Sequence, residues 1–360
     1  APLQAIPVSE YAKICGVDEA LLRETAAALG AAKNMSAFED LGLQMAPHST
    51  LSSYLQRLLW LTTGHYGRQG TTNAFVPFLS LAKASKGETS STKDRGPRVE
   101  KRSPVTGSKI IIGLIPCNVI PEEILTDHPD RFRALIVESG NPLHSLADSQ
   151  RMREAMRAVE FSLVIDVAMT ETAREASYVL PASSQFEKVE GTFFSVEFPR
   201  NAFQLRQPLF KPMAGTLPEA EIHARLVEEM GLLGKKDYLP LQAAAKLGLT
   251  AFSAAFILAV TVKPALMKYV SVLLYRTLGP TLPKGMETAA VLWGICLMFI
   301  QSHAAAAKRA GFSGPLLIAA NRLFKALLNN PSGVVFAEST FADSWKAIGR
   351  TEHRINLNVT

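Results

Sequence analysis

The chain has 360 residues, enough for two or three domains at roughly 150 residues each. A hydrophobic content of 48% supplies a large core and excludes wholesale disorder, and a net charge of +6 is too small and too dispersed to point to nucleic acid. Three well-separated cysteines, Cys15, Cys117 and Cys296, form no CxxC pair, so the chain cannot build its own zinc finger or iron–sulfur site. An odd, scattered set also fits a reducing compartment better than a disulfide scaffold.

Residues 9–33 predict a helix pair, opened by Ser9-Glu10 and by Val17-Asp18-Glu19 and stopped at Gly30. The apolar stretch Ser36–Met45 is compatible with a strand. Thr50 is the expected N-cap of a helix whose apolar face carries Leu51, Tyr54, Leu55, Leu58, Leu59 and Thr62 and which ends at Gly64. Residues 83–109 form a long basic loop, with eight Lys or Arg among Ser, Thr, Gly and Pro. It reads as a solvated, mobile connector, with a cover over an anionic ligand or a dock for an acidic subunit as the alternatives.

From residue 109 the pattern becomes strand–helix–strand. Lys109–Leu114, Ala134–Val137, Ser162–Val167 and Tyr178–Leu180 predict strands; Pro121–Leu125 and Asp148–Val159 predict helices. Continuous apolar runs separated by helices indicate a parallel sheet buried on both faces, an α/β doubly wound arrangement. Ligands of such sheets sit outside the carboxyl ends of the strands. That rule singles out Glu138-Ser139-Gly140-Asn141-Pro142 and Asp166 with the turn after it. Residues 218–231 predict a further helix, residues 240–328 are mostly helical with breaks at Gly279-Pro280 and Pro283, and Val334–Phe336 reads as a strand.

The two most apolar stretches, Ala254–Val262 and Ala289–Ile300, fall short of the ~20 residues that span a bilayer and read as buried core helices. The N-terminal residues show no basic region followed by an apolar core, so no signal peptide is expected. The expected organisation is a helical lead-in (1–34), an α/β domain (35–233) with its basic loop at 83–109, a helical region (234–330) and the start of a following segment (331–360).

Three loops carry the candidate chemistry. Gly140-Asn141-Pro142 offers a tight turn that a ligand can approach, or a plain turn. A carboxylate at Asp166 can accept two hydrogen bonds from the ring N–H and exocyclic amine of guanine; capping a helix is the equally open alternative. Gly64-His65-Tyr66-Gly67-Arg68 pairs a flexible turn with a guanidinium suited to phosphate. His48, His65 and His144 read as hydrogen-bonded loop residues at the surface, with a ligand contact as the sharper alternative for His65 and His144. Cys117 reads as buried in apolar surroundings, and the methionines as core filler.

Together these segments resemble the middle region of the molybdopterin oxidoreductases of the dimethyl-sulfoxide-reductase type, which include formate dehydrogenases and nitrate reductases. The resemblance is carried by Gly140–Pro142, Asp148, Ile165-Asp166 with Thr170-Glu171-Thr172-Ala173, Val179–Ala182, Glu187 and Gly191-Thr192-Phe193. Upstream it takes in Leu61–Arg68 and downstream Gln204 and Glu229–Gly231, so that it runs from about Tyr11 to Gly231, with weaker similarity around Pro331–Val334. His65 and Gln69 stand where the family's LTGNxGRPG segment has Asn and Pro, and Glu197–Phe203 replaces an Arg-rich turn.

The resemblance implies an α/β domain that holds the guanosine end of one of two molybdopterin guanine dinucleotides, with molybdenum or tungsten in the full-length protein. Asp166 would take the guanine edge. Thr170 and the turn Ser139, Gly140, Asn141 and Pro142 would line the nucleotide pocket. Gly64, Gly67 and Arg68 would approach the phosphates or the pterin, and Glu187, Gly191 and Thr192 would be structural. The family's N-terminal cysteine cluster, its metal-ligating segment and its C-terminal barrel have no counterpart here. The sequence therefore reads as the middle third of a longer enzyme, inactive alone, with any iron–sulfur cluster in a preceding part. Expected partners are the remaining domains and an electron-transfer subunit, with no nucleic acid and no membrane span. The compartment stays open between cytoplasm and periplasm. A non-catalytic structural homologue in a respiratory-type electron-transfer complex is the alternative, and a plain nucleotide-binding module is disfavoured because no GxGxxG or GxxxxGK[ST] loop is present.

Overall fold

The computed structural model of the chain describes residues 6–79, 101–110 and 113–349. They divide into two compact units, 6–75 with 339–349 and 76–79 with 101–338.

The first unit begins with the predicted helix pair, α1 (Val8–Cys15) and α2 (Glu19–Ala31). Asp18 caps α2 by accepting from the Leu21 amide at 2.8 Å, and Gly16 closes α1 at φ +69°, where a side chain would be strained. The expected strand over Ser36–Met45 is absent: the backbone stays irregular and then makes the short α3 (Leu41–Gln44), capped by Asp40. Asp40 competes for the backbone amides that a strand would need. Helix α4 (Ser49–Thr62) forms as expected, but His48 occupies the N-cap position, in the left-handed region, and Thr50 lies within the first turn. Within this unit the face carrying Leu51, Leu55 and Leu59 stays exposed, and Trp60 is the buried anchor, its indole N–H donating to Met35 O.

In the second unit, residues 101–110 make a small hairpin around the Arg102–Lys109 bridge. The rest of the basic loop, 83–100, lies outside the described residues, as do 111–112 of the predicted strand Lys109–Leu114. No strand spanning 109–114 is described. The hairpin is anchored by Glu123, a fully buried carboxylate on α5 (Ile120–Leu125). It accepts from the Val105 amide at 3.1 Å, the Thr106 amide at 2.9 Å and the Thr106 hydroxyl at 2.7 Å. Burial pushes this carboxyl up, and the combined hydrogen bonds from Ser103, Thr106 and Val105 override it and leave it below the usual carboxylate range.

The α/β core follows the sequence closely: β1 (Ala134–Glu138), α6 (Pro142–Ser145), α7 (Ser149–Ala158), β2 (Phe161–Asp166), α8 (Glu171–Arg174) and β3 (Tyr178–Pro181). The three strands are parallel in the order β1-β2-β3, with Val137 opposite Val164 and Val164 opposite Val179. Alternation sends Leu135, Val137 and Val164 to the face covered by Met152 and Met156 of α7. Leu163 and Ile165 go to the other face, against Ile222 of the helix Glu219–Glu229. A parallel sheet covered on both faces is the arrangement read from the apolar runs.

Beyond β3 lie β4 (Glu190–Gly191), β5 (Arg200–Phe203) and β6 (Leu205–Arg206), then α9 (Glu219–Glu229), α10 (Lys235–Lys246), α11 (Leu249–Val262), α12 (Val270–Thr277), α13 (Val291–Arg309), α14 (Leu316–Asn329) and β7 (Val334–Glu338). The predicted strand 334–336 turns back to pair antiparallel with β5, placing Phe336 against Phe78 and Phe299 in the largest core of the chain. With the 3-10 turn before it, α13 runs through Glu287–Arg309, 23 residues. The estimate that this stretch falls short of a bilayer is therefore corrected: by length and composition the helix could cross one. Its Trp293, Cys296 and Phe299 are wholly buried in the unit's core, as expected of a core helix. The last helix, α15 (Phe341–Gly349), belongs to the first unit, where the Ser344 hydroxyl accepts from the Ala74 amide.

Candidate cofactor-binding site

The carboxyl ends of β1 and β2 release the two loops singled out from the sequence. The left-handed residue of the first is Ser139, at φ +53°, rather than Gly140. Its amide donates to Ile165 O at 3.1 Å and fastens the start of the loop to β2. Gly140 keeps an ordinary φ, and a methyl group there would meet nothing closer than 3.7 Å. Pro142 starts α6 at its first position, where its missing N–H removes no helical bond.

Asn141 ties the two loops together. Its Oδ1 accepts from the Thr172 hydroxyl at 2.7 Å and the Thr172 amide at 3.3 Å, and its Nδ2 donates to Glu171 at 2.6 Å. That donation is the main cause holding the Glu171 carboxyl below its usual range. The Thr172 hydroxyl, fully buried, also accepts from the Leu143 amide at 3.1 Å. Thr170 caps α8 by accepting from the Ala173 amide. Glu171 and Thr172 belong to the segment that carries the resemblance, but the sequence assigns neither a place in the site. Nothing local announces their bonds to Asn141, because the Thr172 contact joins positions 31 residues apart.

Asp166 closes β2 at the same edge, its side chain on the α7 and α8 face by alternation from Val164. One oxygen, Oδ1, accepts from the Val167 amide at 2.7 Å and the Ala168 amide at 3.2 Å. The other, Oδ2, has no protein partner among the described residues. Asp166 thus caps a turn and not a helix. The cavity of ≈ 320 Å³ beside β3 is a different feature, lined by Leu180, Leu217 and Ile222 on the α9 face of the sheet.

Gly64, Gly67 and Arg68 fall in the first unit. Gly64 and Gly67 both take the left-handed region, at φ +73° and +75°. A Cβ on Gly67 would lie 2.8 Å from the Trp345 ring, so the residue is small because an indole covers it; the same position on Gly64 is open. Arg68 lies exposed beside Gly64, with a long contact of 3.5 Å to its carbonyl. His65 is not at the surface: it is 1% exposed, its Nε2 donating to Ala32 O and its Nδ1 bonded to Thr63. Packing, not a ligand, accounts for it. Cys117 is exposed, against the expectation of burial, and so are Met169, Met213, Met267 and Met298.

The later motif residues hold the chain together. Glu187 accepts from the Ser184 and Met213 amides, both at 2.8 Å. Gly191 lies under the Phe203 ring, where a Cβ would come to 2.6 Å. Among the described residues no group of three His, Cys, Asp or Glu could hold a metal ion.

The family profile described as molybdopterin oxidoreductase matches residues 41–229, more than half of the chain. The chain belongs to the molybdopterin oxidoreductase family. It is similar to the F420-dependent formate dehydrogenase subunit alpha of Methanocaldococcus jannaschii, 29% identical over 237 residues that cover 64% of this chain and 34% of that protein. It is similar also to the trimethylamine-N-oxide reductase of Vibrio vulnificus, 29% identical over 103 residues, 29% of this chain and 12% of that one. Among solved structures, acetylene hydratase from Pelobacter acetylenicus shares 17% identity over 64% of this chain and 35% of that chain, with a TM-score of 0.49. The chain thus spans about a third of the length of the formate dehydrogenase subunit it matches. All six elements that carry the resemblance from Gly140–Pro142 to Gly191–Phe193 fall inside 41–229.

Proposed function

We propose that this chain is the part of a molybdenum or tungsten oxidoreductase that holds the guanosine end of one molybdopterin guanine dinucleotide, of two bound by the whole enzyme. Asp166 takes the guanine edge, and Thr170 and the turn Ser139–Pro142 line the nucleotide. The observation that carries this reading is the Asp166 carboxylate, fixed through Oδ1 by two backbone amides and presenting Oδ2 without a protein partner among the described residues. Its chemistry fits the group: guanine offers two parallel N–H donors on one edge, and an anchored carboxylate accepts both.

The cofactor, when bound, supplies the electron and atom-transfer chemistry at its metal. The residues of this chain bind and orient it. The Asn141–Thr172 tie keeps the two loops in one register before any ligand arrives, which lowers the ordering entropy of binding. Oδ1, already engaged, keeps the Asp166 carboxylate from rotating, so Oδ2 is presented in one direction. On this reading the metal's protein ligand lies outside the described residues and this stretch alone carries out no reaction.

The test is cofactor analysis of the natural full-length protein from a host that matures molybdenum enzymes. Metal is quantified by elemental mass spectrometry and guanine after acid hydrolysis. Metal together with guanine supports the reading. Neither metal nor guanine overturns it and leaves a structural relative in an electron-transfer assembly.

A further inference from the structure

The helical region 234–330 follows the matched family segment and differs from it in charge. It holds eleven Lys or Arg against two Asp or Glu, a net of +9 in a chain whose total is +6, so the remainder is acidic on balance. Four of the eleven, Lys235, Lys236, Lys263 and Lys268, lie at the start of α10 or just after α11. Lys263, next after α11, bonds Asp237 on the first turn of α10 at 2.7 Å, which brings the start of α10 and the end of α11 to one end of the helical hairpin. That contact pairs the acid of the first turn of α10. Lys235, Lys236 and Lys268 remain exposed around it.

The same end is apolar and uncovered. Leu258 is 65% exposed, Val262 75% and Met267 50%. Immediately beyond, Leu249–Val262 and Pro264–Thr281 meet at a bend of 117°, a helix pair apolar enough to pass for a broken membrane span. Yet Phe252, Phe256, Leu273 and Leu274 of this pair are buried in the core of the unit. The pair is thus anchored in protein along its length and apolar in the open at its bend.

From this juxtaposition we infer that the α10–α11 end is a peripheral docking surface for an anionic lipid bilayer. Leu258, Val262 and Met267 enter the interface between headgroups and acyl chains, and Lys235, Lys236 and Lys268 meet the lipid phosphates. Apolar residues ringed by lysines are what an interfacial segment needs, and charge complementarity selects an anionic leaflet over a neutral one. The inference is independent of the cofactor reading, because no residue of the candidate cofactor site takes part in it.

The experiment is co-sedimentation of the natural full-length protein with vesicles of phosphatidylglycerol and phosphatidylcholine in equal parts, and with vesicles of phosphatidylcholine alone. Two variants are compared, L258S/V262S and K235E/K236E/K268E, each with a thermal melt to confirm folding. The wild type is expected to bind the anionic vesicles, to be released by salt and to bind neutral vesicles far less. Each lysine near the surface contributes roughly a fivefold factor, so the charge-reversed variant should bind at least tenfold more weakly. The apolar variant should lose about tenfold as well. No binding of the wild type to anionic vesicles overturns the inference. So does binding that the lysine variant loses and the apolar variant keeps, which would mark adsorption by charge alone, with nothing entering the interface at α11.

Discussion

Asn141 Oδ1 accepts the buried Thr172 hydroxyl at 2.7 Å, and this one bond joins the loop leaving β1 to the loop leaving β2. It sets how the carboxyl edge of the sheet is presented. Replacing Asn141 with Ala strands the Thr172 hydroxyl and relieves Glu171 of its amide donor. The expected loss is about 1–3 kcal/mol of unfolding free energy, measured by urea denaturation at neutral pH. A variant as stable as the parent would show that the loops are held by the surrounding apolar contacts instead.

Glu123 gives a prediction with a pH signature. Its carboxyl lies below the usual range in the folded chain, so the stability it contributes is fully present above the unfolded pKa. That contribution fades as pH falls through the depressed folded value. E123Q keeps one oxygen as acceptor for the Thr106 amide and hydroxyl but sets an NH2 donor against the Val105 amide, with an expected loss of about 1.5–3 kcal/mol at pH 7. Denaturation of parent and variant at neutral and acid pH should show the difference shrinking toward the acid side. A difference that does not change with pH would count against the ionised carboxylate as hairpin anchor.

Two glycines separate packing from ligand approach. At Gly191 a methyl group would enter the Phe203 ring, so G191A should lose roughly 1–3 kcal/mol. At Gly140 the space is open and φ is ordinary, so G140A should stay within about 0.5 kcal/mol of the parent. Thermal melts of both decide this. Equal destabilisation would mean that the room seen beside Gly140 is not there in solution.

A fourth region to test joins α9 to α12. Arg276 bonds Glu228 through Nε at 2.8 Å and Nη2 at 2.9 Å, and Glu221 through Nη1 at 2.6 Å. Burial pushes the Glu221 carboxyl up, and Arg276 with Arg225 and Tyr275 outweighs it and holds it low. R276M leaves two carboxylates facing one another in a half-buried site. The expected loss is about 2–3 kcal/mol, below the figure for a fully buried pair because the group retains some solvent. A melt within half a degree of the parent would contradict it.

What the sequence made legible is local. β1, β2 and β3 are continuous apolar runs, and α7 begins at an Asp148 whose side chain accepts from the Arg151 amide, so pattern and cap agreed. Ser36–Met45 misled because its apolar residues carry no preference between strand and coil, and Asp40 diverts the backbone. The site was legible as a place, the carboxyl edge of a parallel sheet, but less so as a mechanism of assembly. The left-handed turn sits at Ser139 beside the more obvious glycine. The Asn141–Thr172 bond and the β5–β7 pairing join residues far apart in sequence, which no local window reports. His65 and Cys117 reversed their expected exposures because burial is set by neighbours elsewhere in the chain, such as Ala32 against the His65 ring.

Recognition of guanine by Asp166 is put to the test by D166N. Asn at this position keeps an oxygen for the Val167 and Ala168 amides, so the turn and the fold should survive, as a thermal melt will check. It replaces the second acceptor with an NH2 group that faces guanine's own donors. The measurement is acid-released guanine per chain in the full-length protein and its D166N variant, matured side by side in the same host. If Asp166 takes the guanine edge, the parent holds guanine and the folded variant loses one of its two equivalents. A variant that retains all the guanine of its parent would contradict it.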